Sequence, residues 1–348
     1  MSNATNLNGR DRFLNALYCR PCDRPPIWMM RQAGRSLPEY LALKEGKRFT
    51  DLVQNPNIAA EVTLQPIRRF KYDAAVIFSD ILVIAEAMGV PYQLMEQGGV
   101  KVDFELQSSA DVEKLTPEGA AEKIAYTPEA IKLVRNEVEN QCGIIGFAGS
   151  PWTLASFMVE GGSSRDNLRS RALIHEQPVL FEALLEKITL ATIDYLNAQI
   201  DAGADALQLF DSQGGTLAQA DYWRFSGRWM QQIITALGQR VPITVFGRGV
   251  HQNWEQLIRT GANALSIDWN IDLPALSKQL PLTLALQGNL DPALLIASPA
   301  VAIKQTRSLL EGMRGRDGFI FNLGHGVPPN ASIETIATIT QTVQTYHG

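Results

Sequence analysis

Short apolar runs alternate along the chain with longer stretches of helical period, and the alternation occurs eight times. The runs are Ile27–Met30, Ala74–Phe78, Ile144–Phe147, Ala206–Phe210, Ile243–Phe246, Ala264–Ile267, Leu282–Leu286 and Phe319–Leu323. Each is nearly continuous in apolar character, as parallel strands covered on both faces are. Between them the spacing predicts amphipathic helices. Phe181, Leu184, Leu185 and Ile188 fall at i, i+3, i+4 and i+7, the stripe that one helix face turns to a core. Thr127 is placed as an N-cap, with Pro128 at the first helical position and Ile131, Val134 and Val138 on the buried face. Gly203 and Gly261 fall where helix C-caps are expected, just ahead of the next strand.

Three helix-to-strand joints resemble one another: Tyr72-Asp73-Ala74-Ala75, Gly203-Ala204-Asp205-Ala206 and Gly261-Ala262-Asn263-Ala264. Quasi-repeated β/α units with no composition break predict a single-domain (β/α)₈ barrel over residues 1–348, with 1–20 forming an N-terminal extension and first helix. A doubly wound open sheet is the competitor. The size of 348 residues suits either.

Charge and composition narrow the function classes. Hydrophobic residues make up 45% and charged residues 19%, which excludes a disordered chain. A formal charge of −5 gives no general attraction to nucleic acid or an anionic membrane, though a local basic pocket is compatible with it. The apolar stretch from Ala74 to Val90 carries Asp80 and Glu86, which a bilayer would not accept cheaply. The first eight residues do not read as a signal peptide, so the expectation is a soluble, cytoplasmic protein. Cys19, Cys22 and Cys142 cannot build a disulfide framework. The Cys19-x-x-Cys22 spacing lacks the further ligands a zinc site needs, so no metal is assigned.

Polar, charged and glycine residues gather just after the predicted strands, at the end where barrels carry their active sites. The segments are Arg31-Gln32-Ala33-Gly34-Arg35, Ser79-Asp80, Gly149-Ser150-Pro151-Trp152, Asp211-Ser212-Gln213-Gly214-Gly215, Gly247-Arg248-Gly249, Asp268-Trp269, Gln287-Gly288-Asn289 and Gly324-His325-Gly326. Arg31 and Arg35 offer two guanidinium forks in one short turn, suited to carboxylates or phosphates. Asp80 reads either as a pocket carboxylate or as a helix N-cap. In the quasi-repeats it aligns with Ser212 and Asn270, which favours the pocket. His325 is a candidate acid–base or hydrogen-bond donor, its flanking glycines permitting close ligand approach. His175 and His347 receive no role and His251 stays ambiguous. No phosphate-binding nucleotide loop and no Gly-x-Ser-x-Gly elbow occurs. The run Glu160-Gly161-Gly162-Ser163-Ser164 reads as a flexible loop rather than a phosphate cradle.

Taken together, these residues resemble the uroporphyrinogen decarboxylase family along nearly the whole chain. Met29-Met30-Arg31-Gln32-Ala33-Gly34-Arg35 resembles its N-terminal signature, and Gly146-Phe147-Ala148-Gly149-Ser150-Pro151-Trp152-Thr153-Leu154 its second. Further matches are Thr63-Leu64-Gln65-Pro66, Phe78-Ser79-Asp80-Ile81-Leu82, Met158-Val159-Glu160-Gly161-Gly162, Leu286-Gln287-Gly288-Asn289-Leu290-Asp291-Pro292 and Asn322-Leu323-Gly324-His325-Gly326.

The resemblance implies a barrel, a homodimer and a carboxy-lyase that uses no metal or organic cofactor. Its substrate would be uroporphyrinogen III, a tetrapyrrole with eight carboxylates, whose four acetates become methyls to give coproporphyrinogen III. It implies Asp80 and Arg31 as catalytic, and Arg31, Gln32, Ala33, Gly34, Arg35, Asp80, Phe157, Ser212 and His325 as substrate-binding. Two positions depart from the family pattern. Ser36 stands where the signature carries tyrosine, and Phe157 replaces a substrate-contacting tyrosine. The lost hydroxyl removes a hydrogen bond to a charged group, worth about 1.5–3 kcal/mol. The alternative readings are a paralogue that binds a tetrapyrrole without turnover, and corrinoid methyltransferase-type chemistry. The His-x-Cys of the latter is absent, since Gln252 and Asn253 follow His251.

Overall fold

The computed structural model describes residues 7–95, 99–250 and 253–347. The apolar runs become strands in seven of the eight predicted places. These are β1 (Ala74–Val76), β4 (Gly143–Gly149), β5 (Ala206–Asp211), β6 (Ile243–Gly247), β7 (Ala264–Ile267), β8 (Ala285–Leu290) and β9 (Phe319–Leu323). They form one parallel sheet in the order β1-β4-β5-β6-β7-β8-β9. Two short strands, β2 (Tyr92–Leu94) and β3 (Val100–Val102), pair antiparallel as a separate hairpin inserted between β1 and β4.

The sheet curls. The Gln287 amide on β8 donates to Gln208 Oε1 on β5 at 3.0 Å, although these strands lie three places apart in the sheet. In a flat sheet that separation would be about 14 Å. Trp28 Nε1 donates to Gln287 Oε1 at 2.9 Å, and Gln287 Nε2 also reaches Ser266 Oγ at 2.9 Å. The buried interior of the curl therefore holds a chain of paired amides, an indole and a hydroxyl among its apolar side chains.

The eighth run does not form a full strand. Ile27 makes a single parallel bridge to Phe321, and Ile27 O accepts from Asp73 N at 2.9 Å. Beyond that the ladder stops, for local reasons. Pro25 and Pro26 bring no N–H. Met29 N donates to Gln32 Oε1 and Met30 N to Asn322 Oδ1, so side chains take the donors a ladder would use. Arg31, at φ +60°, then ends the extended run.

The three similar joints turn out to share a device at the amino ends of the strands. The Asp73 carboxylate accepts from Ile27 N at 2.7 Å, Asp205 from Ile144 N at 2.8 Å, and Asn263 Oδ1 from Ile243 N at 2.9 Å. In each case the joint's own N–H donates back to the carbonyl of that same isoleucine, at 2.8–2.9 Å. Ile27 thus holds toward β1 the position that Ile144 holds toward β5 and Ile243 toward β7. Arg12 and Arg24 bind the Asp73 carboxylate, and Arg10 and Arg135 bind that of Asp205.

Three local expectations are corrected. The strand predicted at Leu282–Leu286 begins at Ala285 and runs on through Gln287-Gly288-Asn289. Leu282 lies in the preceding turn and is 74% exposed. The helix read from Thr127 starts at Tyr126 with Ala125 as N-cap, because buried Thr127 shares a hydrogen bond with Ser79 Oγ at 3.2 Å. The run Glu160–Ser164 is not a free loop. Gly162 bridges Lys101, Ser163 N donates to Val100 O, and Glu160 Oε1 accepts from Ser170 N and Oγ.

Helices cover the outer face. Helix Pro178–Asp201 buries Phe181, Leu184, Leu185 and Ile188 completely, and Gly203 turns at φ +108° just beyond its end. Gly261 does the same at φ +82° after helix Trp254–Arg259. The first helix, Gly9–Leu17, lies against the amino end of β4, where Phe13 packs on Gly143. No helix among the described residues is long and apolar enough to cross a membrane.

Candidate active site

Arg31, Asp80, Ser212, Arg248, Trp269 and His325 all follow the carboxyl ends of strands, or the Ile27 segment that abuts them. The turn carrying the paired arginines is tied down from within. Gln32 is buried, its Oε1 accepting from Met29 N at 3.0 Å and its Nε2 donating to Ala74 O at 2.9 Å. Val327 N donates to Met30 O at 2.8 Å, joining the turn to the His325 loop. Arg31 and Arg35 both adopt left-handed backbone, at φ +60° and +57°, which non-glycine residues reach only when their surroundings impose it. Ala33 and Gly34 lie between them, with Gly34 at φ +87° against the rings of Phe78 and Tyr40.

The glycines beside His325 are required by the protein's own packing. A Cβ on Gly326 would overlap Arg31 Cδ, and one on Gly324 would overlap the backbone nitrogen of Trp269. Gly326 therefore lets the Arg31 stem pass, and Gly324 lets the β7 loop close in.

Asp80 is neither an N-cap nor idle. Its Oδ1 accepts from Leu82 N at 2.8 Å, an i to i+2 turn, while the N-cap of the next helix is Leu82. Among the described residues this is the only hydrogen bond to the Asp80 carboxylate, and the residue keeps part of its surface open. Burial raises its pKa above the usual carboxylate range, opposed by the Leu82 N–H and the charge of Arg31. Arg31 shows the converse. It is open to solvent on the mouth side, yet the protein around its guanidinium and the neighbouring Arg35 charge lower its pKa to about 10, with Arg248 adding and Asp80 opposing. Burial also lowers the pKa of Arg35, against the raising effect of Tyr40.

His325 sits edge-on between two rings, with centroids 5.9 Å from both Phe246 and Trp269. Burial, then Arg31, Arg248 and Arg35, drive its pKa down to about 3. The imidazole is neutral at physiological pH and carries one N–H, so it suits hydrogen bonding better than charge pairing.

Ser212 lines a cavity of about 570 Å³ with Arg165, Arg171, Arg248, Trp269 and Asn270. Asn270 and Ser212 thus share a wall, as the quasi-repeat alignment expected, while Asp80 lies outside that lining. Ser212 follows Asp211, a buried carboxylate that accepts from four hydroxyls: Ser150 at 2.6 Å, Tyr222 at 2.7 Å, Ser226 at 3.0 Å and Thr153 at 3.3 Å. The cage holds the β5 end rigid against helix Pro151–Glu160, which carries the half-buried Phe157.

Sequence reasoning quoted Arg248 and Trp269 as strand-end residues but assigned neither a role. The signal was present in Gly247-Arg248-Gly249, a charged residue between two glycines at a strand end. His251 lies outside the described residues. The Cys-x-x-Cys pair lies away from the mouth, Cys22 Sγ donating to Arg12 O at 3.4 Å and Cys19 Sγ lying against Gly318. Burial pushes the Cys22 thiol up to about 12.

Comparison with known proteins agrees with this geometry. The model of the uroporphyrinogen decarboxylase family matches residues 8–346. A uroporphyrinogen decarboxylase of Alkalilimnicola ehrlichii is 43% identical over 347 residues, spanning 97% of this chain and 95% of that protein. One of Coxiella burnetii is 41% identical over 342 residues, spanning 97% and 95%. Among solved structures, a methyltransferase from Methanosarcina mazei superposes with a TM-score of 0.83 at 20% identity, covering 99% of this chain and all of that one, a likeness of fold. With a match across almost every described residue, the chain belongs to the uroporphyrinogen decarboxylase family.

Proposed function

We infer that the protein is a carboxy-lyase that converts uroporphyrinogen to coproporphyrinogen by decarboxylating its four acetate side chains. The observation that carries the reading is a half-buried Asp80 at a strand end, electrostatically coupled to Arg31, in a chain matched end to end by the family.

The chemistry follows from charge. Direct loss of CO₂ from an acetate would leave an unstabilised carbanion. Protonation of the adjacent pyrrole carbon first makes the ring a cation, which takes up the electron pair of the breaking C–C bond. A proton then completes the methyl and the ring gives up the one it gained, so each cycle exchanges CO₂ for H⁺. The ring itself is the electron sink. Asp80 accepts hydrogen bonds from pyrrole N–H groups and stabilises the cation, an interaction strongest in the transition state. The Leu82 N–H and Arg31 favour its ionised form against burial. Arg31 and Arg35 hold side-chain carboxylates, Ser212 and neutral His325 hydrogen-bond others, and the Arg31–Arg35 turn offers half-buried Ala33 along the same edge, with Gln32 and Gly34 packed behind it as its support. Phe157 supplies a ring without a hydroxyl.

On the same reading the Ile27 segment is the eighth stave of a (β/α)₈ barrel. Its supports are the bridge to Phe321 and the Asp73 joint that repeats those at Asp205 and Asn263. The working unit is a cytoplasmic homodimer, supported by the family resemblance.

The test is an anaerobic assay with reduced uroporphyrinogen, following porphyrins by chromatography after oxidation. Wild type yields coproporphyrinogen, and Asp80→Asn loses at least about 100-fold in kcat with an unchanged thermal midpoint. No product from folded wild type overturns the activity. Wild-type rates in Asp80→Asn overturn the role of the carboxylate.

A further inference from the structure

Arg31, whose charge acts on Asp80, and Arg35 in the same turn account for one side of the mouth only. A tetrapyrrole with eight carboxylates presents charge around its whole rim, so the far side must also meet cations or water. In the order of the sheet, β6 is the strand furthest from the Ile27–Arg31 segment, four places away whether counted through β1 or through β9. Arg248 stands at its carboxyl end.

We propose that Arg248 binds a substrate carboxylate on the edge of the macrocycle opposite Arg31 and Arg35, and so helps set the affinity for the most carboxylated tetrapyrroles. This rests on the decarboxylase reading of the site.

Four features support it. Arg248 lines the same cavity as Ser212, and that lining carries three guanidiniums against the single carboxylate of Asp166. Its side chain is exposed and makes no ion pair among the described residues, so its charge remains available. It is also restrained. The backbone around it is pinned, Gly215 N donating to Arg248 O at 3.0 Å and Arg248 N to Asp211 O at 3.3 Å. The guanidinium lies 6.0 Å from the centroid of Trp269, the ring that packs edge-on to His325. Its charge is felt by both Arg31 and His325, which places it within the same electrostatic site. An unpaired, positioned guanidinium facing a cavity is what a bidentate carboxylate contact requires.

Trp269 gives the experiment an internal reporter. Wild type, Arg248→Gln and Arg248→Lys are titrated with uroporphyrin, which bears the same eight carboxylates, by quenching of tryptophan fluorescence. The same three proteins are assayed for KM and kcat on uroporphyrinogen. Loss of a charged hydrogen bond predicts a Kd and a KM raised about 10- to 100-fold in Arg248→Gln, with kcat within about threefold of wild type. Arg248→Lys falls between, since it keeps the charge but not the fork. An unchanged Kd and KM in folded Arg248→Gln overturns the proposal. So does a fall in kcat at unchanged KM, which would place the residue in the chemistry or the framework. The titration needs no turnover, so a wild type that binds uroporphyrin without decarboxylating it refutes the activity and still tests Arg248.

Discussion

At position 157 the ring is present and the hydroxyl is not. Restoring it by Phe157→Tyr is expected to lower the KM for uroporphyrinogen by up to about tenfold, at the modest end of what a hydrogen bond to a charged group supplies, while kcat changes little. Steady-state kinetics on both proteins decides it, and a higher KM would mean that the half-buried site has no room for the extra oxygen. The same scale shows what single residues could and could not announce. Arg31, Arg35, Asp80 and His325 stood out as candidates because they are charged or titratable groups gathered just after apolar runs. Gln32 did not. Its amide joins Met29 N to Ala74 O, a contact across 42 positions that no local pattern encodes. His325 was legible as a candidate, whereas its neutrality depends on burial first and then on three arginines from other segments, none of which a local pattern shows.

Between residue and molecule, the best-hidden element is the hairpin of β2 and β3. Its strands are three residues long and half exposed, so they lack the apolar run that revealed the seven parallel strands. Its partner was hidden for a related reason, since Gly161-Gly162 reads as a loop until β3 is there to receive it. Gly162 holds φ +139°, and a Cβ there would overlap Val100 O. Gly162→Ala is therefore expected to cost about 1–3 kcal/mol, from backbone strain together with the lost bridge to Lys101. A urea titration beside wild type measures it, and an unchanged midpoint would show that the hairpin detaches freely. The long helices were the easiest to read. Their apolar stripes are set by burial against the sheet, and Phe181 through Ile188 lie fully covered as their spacing required. Boundaries were harder, because Thr127 spends its hydroxyl on Ser79 instead of on a helix end.

For the whole molecule, the repeated joints carry the most information. A sequence reader sees Asp73, Asp205 and Asn263 as similar positions. Only the assembled sheet shows that each grips an isoleucine of the neighbouring segment, β4, β6 or the Ile27 run, through both N–H and carbonyl. The Asp73 joint binds two arginines and takes the Ile27 N–H, so Asp73→Ala leaves buried Arg12 without one of its partners. The expected cost is about 3–5 kcal/mol in unfolding free energy, as for a broken buried ion pair, with KM for uroporphyrinogen unchanged. Denaturant unfolding and steady-state assays on one preparation check both halves of that statement. All three joints are fastened at the amino ends of the strands, remote from the mouth. The far pole is thus secured independently of the mouth, whose own fastenings are the Asp211 cage and Gln32, and exposed side chains between those points, such as Arg248, can be exchanged for other carboxylated rings without loosening either set.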